Sequence, residues 1–160
     1  GSELAHITHG THTTRHPYDW GNEMLATEDG YVFVGDTDAG NGLSALYVLR
    51  SDAEGERIWD NMLGEGLYNY GSGIAATRDG GYVLSGATRY PETSKNDLFA
   101  VVVNDIGRSV WTQQFGGAGS EWGTAAAVTL SGDLFVAGQT NSFGAGSFDM
   151  WLIKLDPSVE

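Results

Sequence analysis

Short apolar runs, separated by polar and glycine-rich stretches, recur along the chain at a fixed interval. In each copy one run ends on a glycine, a threonine follows two residues later, and the next run carries an aromatic residue at a constant place. These positions are Gly35, Gly86 and Gly138, then Thr37, Thr88 and Thr140, then Tyr47, Phe99 and Trp151. Equivalent positions lie 51 or 52 residues apart. A constant period of this size indicates a repeat architecture.

The middle copy predicts four short strands. The runs 73–77 and 82–85 flank an Asp-Gly pair, which is typical of hairpin turns because glycine accepts a positive φ. The run 98–103 is apolar and β-branched, as expected for a strand buried on both faces. The run 109–115 alternates like an outermost strand. Four antiparallel strands in about 50 residues are typical of one β-propeller blade.

The whole chain therefore predicts an all-β fold in one propeller-repeat domain over residues 3–160, and residues 1–2 are interpreted as a cloning scar. Its three blades are expected at about 21–64, 71–116 and 122–156. The last blade lacks an outermost strand. The segment 3–10 occupies the slot that outermost strands hold in the other copies, although Ala5 stands where they carry tryptophan. We expect this segment to complete the last blade.

Propellers typically have four to eight blades, so three blades are too few for a closed ring. Two chains with three blades each would give a six-bladed propeller. The expected assembly is a homodimeric ring that closes head to tail, with each N-terminal strand exchanged into its neighbour. A piece excised from a longer repeat protein is the alternative.

The segments 79–86, 111–117 and 141–156 resemble the tandem β-propeller repeats of bacterial and archaeal secreted or cell-surface proteins. The resemblance extends over nearly the whole chain and concerns the fold. It implies an extracellular or cell-surface location and a binding or scaffolding role, because that family shares no catalytic set.

Charge and composition exclude several classes of partner. The net charge is −13 and Cys is absent. Nucleic-acid binding needs a basic surface, and an anionic membrane surface would repel this chain. No apolar run is long enough to cross a bilayer. We therefore expect no nucleic-acid partner, no membrane insertion and no disulfide.

All four histidines lie within one N-terminal window. Neutral imidazoles bind zinc, copper or nickel, so His9, His12 and His16 are candidate ligands of a divalent metal ion, although their spacing matches no zinc signature. No other cofactor is expected. Arg15, His16 and Tyr18 share a loop that could recognise a ligand; a polar surface loop is the simpler interpretation.

An aromatic residue followed by glycine opens the innermost strand of each copy: Trp20-Gly21, Tyr70-Gly71 and Trp122-Gly123. In a propeller these aromatics would surround the central channel and bind a carbohydrate or a protein; packing between blades is the alternative. The sequence thus favours a non-enzymatic binding or scaffold module.

Two further hypotheses stay open. One is a carbohydrate-active enzyme or a lectin-like sugar binder, with loop carboxylates such as Glu92 and Asp97, or Glu65 and Glu121, near the channel. An enzyme should bring two carboxylates together, one of them with a raised pKa. The other hypothesis is a designed or dissected propeller whose oligomerisation is its purpose.

Overall fold

The computed structural model of the chain describes residues 7–10, 18–40, 42–64, 68–90 and 92–156. Within these ranges the chain forms eleven strands and no helix. Accordingly, this part of the chain offers no helix with the length and hydropathy needed to span a membrane. The all-β fold expected from the sequence is confirmed.

The strands form three consecutive antiparallel groups, which we call sheets 1, 2 and 3; a single parallel bridge between Ser44 and Tyr68 joins sheet 1 to sheet 2. Sheet 1 contains β1 (Asp19–Thr27), β2 (Gly30–Gly40), β3 (Leu43–Asp52) and β4 (Arg57–Leu63). Sheet 2 contains β5 (Tyr68–Ala76), β6 (Tyr82–Arg89), β7 (Asp97–Val103) and β8 (Ser109–Phe115). Sheet 3 contains β9 (Glu121–Val128), β10 (Leu134–Thr140) and β11 (Asp149–Leu155). This arrangement is that of a propeller-like fragment, and the described residues do not close into a ring.

The sheets stack face to face through alternate side chains of their strands. On β7, Phe99, Val101 and Val103 face a cluster that includes Val32 and Leu46 of sheet 1. The intervening β7 residues, Leu98, Ala100 and Val102, belong to a second cluster with sheet 3. This double contact explains why the sequence of β7 is apolar at every position after Asp97 rather than alternating.

The repeated glycine has a steric cause. A Cβ atom on Gly35 or Gly86 would lie 1.7 Å from the carbonyl oxygen of Trp20 or Tyr70, and one on Gly138 would lie 1.9 Å from that of Trp122. The innermost strand passes so close to the second strand that no side chain fits between them. Near this contact the register of each inner pair shifts by one residue, as in a β-bulge.

Residues 7–10 are not in a strand, whereas the sequence predicts an outermost strand over 3–10. Residues 3–6 lie outside the described part of the chain. Residues 7–10 lie beside sheet 1, where a hydrogen bond of 2.8 Å joins His9 Nε2 to Gly55 O. In the described part of the chain, β11 pairs only with β10. Residues 7–10 therefore do not pair with β11 of the same chain.

Candidate functional site

Four aromatic residues lie at one end of the innermost strands. Trp20, Tyr70 and Trp122 each stand within the first three residues of β1, β5 and β9, and Tyr18 directly precedes β1. We call these four residues the aromatic rim. The close approach of the second strand fixes the backbone of all three strand residues.

The rim consists of two contacting pairs. The rings of Tyr18 and Trp20 meet edge to face with their centroids 6.1 Å apart. Those of Tyr70 and Trp122 lie 6.0 Å apart across the contact between sheets 2 and 3. Trp20 is 63% exposed and Tyr18 is 40% exposed. Tyr70 and Trp122 are half-buried, so the first pair forms the accessible part of the rim.

Carboxylates adjoin this accessible pair. Asp36 lies opposite Trp20 in the β1–β2 register, and Asp38 N donates a hydrogen bond of 2.9 Å to Tyr18 O. Burial raises the pKa of the Asp36 carboxyl, and the hydrogen bond from Asn22 Nδ2 opposes that rise. Burial, followed by the negative charges of Asp36 and Asp38, also raises the pKa of the Tyr18 phenol. The rim therefore combines aromatic surface with negative potential.

A polar contact recurs between the residue that precedes the rim aromatic and the repeated threonine. Thr37 Oγ1 donates a hydrogen bond of 2.6 Å to Asp19 Oδ1, and Thr140 Oγ1 donates one of 2.9 Å to Glu121 Oε1. Asn69 holds the equivalent place in sheet 2. The repeated threonine was the sequence signal for this contact, although Glu121 was predicted only as the partner of Glu65 in a carboxylate pair.

One pair of carboxylates meets between sheets 2 and 3. Burial, and then the charge of Glu121, raise the pKa of the Asp97 carboxyl. Both groups flank Gly116, where a Cβ would lie 2.1 Å from Asp97 Oδ1 and 2.9 Å from Glu121 Oε2. Glu121 is fully buried and also accepts a hydrogen bond of 3.1 Å from Gly117 N. Glu65, named in one of the expected pairs, lies outside the described residues, and Glu92 is exposed.

One of the three expected metal ligands lies within the described residues. His12, His16 and the neighbouring Arg15 lie outside the described residues. His9 is described, and its ring contacts the backbone of Gly55. Across the described ranges, no group of three His, Cys, Asp or Glu residues is close enough to hold a metal ion.

A cavity of about 250 Å³ opens on the face of sheet 1 that points away from sheet 2. Its walls are mostly apolar and include Trp20, Phe33, Tyr47, Leu49 and Ile7. On sheet 3, the face that points away from sheet 2 carries a second cavity, whose lining includes Met150 and Leu152. The two cavities lie at opposite ends of the stack of sheets.

No protein-family model matches the chain. The chain is similar to the outer membrane protein assembly factor BamB of Xanthomonas campestris pv. campestris, with 33% identity over 132 residues. The matched region is 82% of this chain and 30% of that relative, so the chain spans less than a third of the relative's length. This similarity and the all-β structure support a β-propeller-like repeat protein.

Proposed function

We propose that this protein is a non-catalytic propeller scaffold that binds a basic segment of another protein at its aromatic rim. The observation that carries this proposal is the exposed Tyr18–Trp20 pair beside the carboxylates of Asp36 and Asp38. The similarity to an outer membrane protein assembly factor supports a protein partner and an extracellular or cell-surface location.

The rim offers two complementary attractions to a basic segment. Arginine and lysine bind over the faces of tryptophan and tyrosine by cation–π interaction, which contributes about 0.5–1 kcal/mol at exposed sites. The negative charge around the rim, in a chain with a net charge of −13, adds long-range attraction for the same residues. An acidic segment would lose both contributions.

We propose that the complete scaffold is a six-bladed ring of two chains, with the rim at the mouth of its channel. Propellers have four to eight blades, and two chains with three sheets each meet that requirement. Tyr70, which has a sheet on either side, remains partly exposed. The rim would therefore stay accessible after the ring closes.

The environment of the carboxylate pair argues against an acid–base enzyme. Asp97 has the raised pKa expected of a general acid. However, Glu121 has no exposed surface, and its two oxygens accept hydrogen bonds from Thr140 and Gly117. A carboxylate held in this way supports the contact between β9 and β10, and we propose a structural role for the pair.

Peptide titration tests the proposed function. The probe is a short peptide of alternating arginine and glycine, and its matched control carries glutamate in place of arginine. We expect the arginine peptide to bind, to bind more weakly at high salt, and to lose about five- to tenfold in affinity with Trp20→Ala. Val110→Ala is the control variant, since Val110 is 63% exposed on the outermost strand of sheet 2.

Two results would contradict the proposal. Equal binding of both peptides would exclude recognition of basic segments, and equal affinity of the Trp20 and Val110 variants would place binding away from the rim. If neither peptide binds and a neutral oligosaccharide quenches the fluorescence of Trp20, the protein-binding function is wrong and a lectin-like function replaces it.

A further inference from the structure

We infer that sheet 3 of one chain docks onto sheet 1 of a second copy, with Met150 and Leu152 filling the cavity beside Trp20 and Phe33. This inference rests on the proposed two-chain ring and defines its interface. Its basis is that sheet 3 presents exposed apolar side chains, and sheet 1 presents an apolar cavity, at positions that pack against a neighbouring sheet inside the chain.

The two internal contacts share a glycine on the innermost strand. A Cβ on Gly71 would lie 2.6 Å from Gly35 O and 2.9 Å from Leu46 Cγ. A Cβ on Gly123 would lie 2.6 Å from Gly86 O. In both cases the glycine allows its own sheet to approach the backbone of the preceding sheet closely.

Gly21 is the third glycine of this set, and among the described residues no sheet lies against it. A Cβ on Gly21 would meet no atom of the described chain within 4 Å. The repeat identifies the missing surface, because the counterparts of Gly35 and Leu46 in sheet 3 are Gly138 and Met150. Gly21 therefore marks the place where sheet 3 of another copy would make its closest approach.

The face of sheet 3 that points away from sheet 2 carries exposed apolar side chains, whereas the same positions in sheets 1 and 2 are covered by the sheet that follows them. Leu46 and Leu98, at the same place on β3 and β7, are fully buried by the sheet that follows them, whereas Met150 is 97% exposed. Val48 is fully buried and its counterpart Leu152 is 66% exposed. Exposed apolar positions of this kind mark an interaction surface.

The face of sheet 1 is the complementary surface. Phe33, which is half-buried, and Tyr47, which is buried, line its cavity. Their counterparts in sheet 2, Leu84 and Phe99, are buried in the cluster shared with sheet 1. The cavity therefore occupies the position at which a preceding sheet would contact sheet 1.

The N-terminal segment 7–10 lies where an outermost strand of that preceding sheet would lie. On β4, Asn61 Nδ2 donates to Ile106 O, and a Cβ on Gly107 would lie 2.6 Å from the same Nδ2 atom. Gly55 is the counterpart of Gly107, 52 residues earlier. A Cβ there would lie 2.8 Å from Ile7 Cδ1.

The segment thus contacts sheet 1 as β4 contacts sheet 2. Its missing strand partner is supplied by β11 of the second copy, which has one unpaired edge in the described part of the chain. Each chain would therefore contribute a strand to its partner, and the last sheet is incomplete without the other copy.

Cysteine cross-linking tests this interface, because the chain contains no Cys. The variants Gly21→Cys and Met150→Cys are made separately and oxidised alone or as a mixture. The internal counterpart of this pair, Gly71 Cβ to Leu46 Cγ at 2.9 Å, has the spacing of a Cβ to the partner sulfur in a disulfide. Both positions are open within the single chain, so folding should tolerate each substitution.

We expect a disulfide-linked pair of twice 17.0 kDa from the mixture and no cross-link from either variant alone. Light scattering of the unmodified protein should give the same two-chain mass. A one-chain mass, or a mass of three or more chains, would overturn the inference. Self-linking of a single variant would also overturn it, since that result indicates an isologous contact.

The same preparations separate this inference from the proposed function. If the disulfide forms but the arginine peptide does not bind, only the proposed ligand is wrong. If the peptide binds at Trp20 and the protein is a monomer, the two-chain ring and its interface are wrong, whereas the proposed ligand stands.

Discussion

Thr140 Oγ1 donates a hydrogen bond of 2.9 Å to Glu121 Oε1 at a place where both side chains are buried. A buried carboxylate is costly unless its oxygens accept hydrogen bonds. This contact joins the first residue of β9 to the last residue of β10. It therefore fixes the inner end of sheet 3 directly beside Trp122.

Thr140→Val should lower the free energy of unfolding by about 1–3 kcal/mol, because it removes a donor from a buried carboxylate. Urea denaturation measures this loss. Thr37→Val is the matched control, since Thr37 makes the same contact with Asp19. Asp19 is only half-buried, so water can replace the lost donor. An equal loss in both variants would contradict this account.

Gly86→Ala should destabilise the chain by about 3 kcal/mol or more, because its Cβ would overlap Tyr70 O at 1.7 Å. Gly80→Ala is the control for backbone strain. Gly80 has a φ of 86°, and its nearest neighbour would be 3.9 Å away, so only about 1 kcal/mol should be lost. Comparable urea midpoints for the two variants would show that the close approach of Tyr70 O to Gly86 does not determine the loss of stability.

Asp97→Asn should stabilise the protein at neutral pH. The pKa of Asp97 is raised in the folded state, so the native chain binds its proton more tightly than the unfolded chain does. The stability contribution of this group therefore falls as pH rises from its ordinary pKa of 3.8 through the raised value. Removing the carboxylate should remove that slope from a series of urea midpoints measured across this pH range.

Asp29→Asn is the control, because it removes the same charge with the opposite expected sign. The hydrogen bond from Arg50 lowers the pKa of the Asp29 carboxyl. Its contribution is present above pH 3.8 and is lost as pH falls through the lowered value. This variant should lose stability at neutral pH. Identical changes in urea midpoint for the Asp97 and Asp29 variants would indicate that only the net charge of the protein matters.

Ile7→Asp should shift the two-chain assembly towards single chains. Ile7 lies against Gly55 and lines the cavity that the partner sheet is proposed to fill, so a carboxylate there would be buried without a partner. We expect at least a tenfold weaker dimer, measured as mass against concentration by light scattering. Val110→Asp should leave the mass unchanged, since Val110 lies on neither end face. Equal masses for both variants would contradict the proposed contact.

The all-β repeat was predictable because its period reflects local sterics. Each repeated glycine lies against the carbonyl of a rim aromatic, so sequence spacing and backbone geometry report the same contact. The carboxylate pair was not predictable in this way. Asp97 and Glu121 meet only because sheets 2 and 3 stack, and the expected partner of Asp97, Glu92, is exposed.

The N-terminal segment lies between these two cases. Its spacing predicts the slot of an outermost strand, and residues 7–10 lie beside Gly55 of sheet 1 without forming a strand. The sequence could not give their secondary structure, because a strand forms only when a partner strand donates and accepts its backbone hydrogen bonds.

The match between the two end faces has a consequence for the size of the assembly. Deleting one entire repeat from the middle of the chain would leave the surface beside Gly21 and the surface around Met150 unchanged. The side chains on the two end faces therefore determine whether copies associate. The wedge angle of each blade determines how many blades close the ring. A two-blade version of this chain should then assemble as three copies. Three chains with two blades each would form the same six-bladed ring as two chains with three blades each.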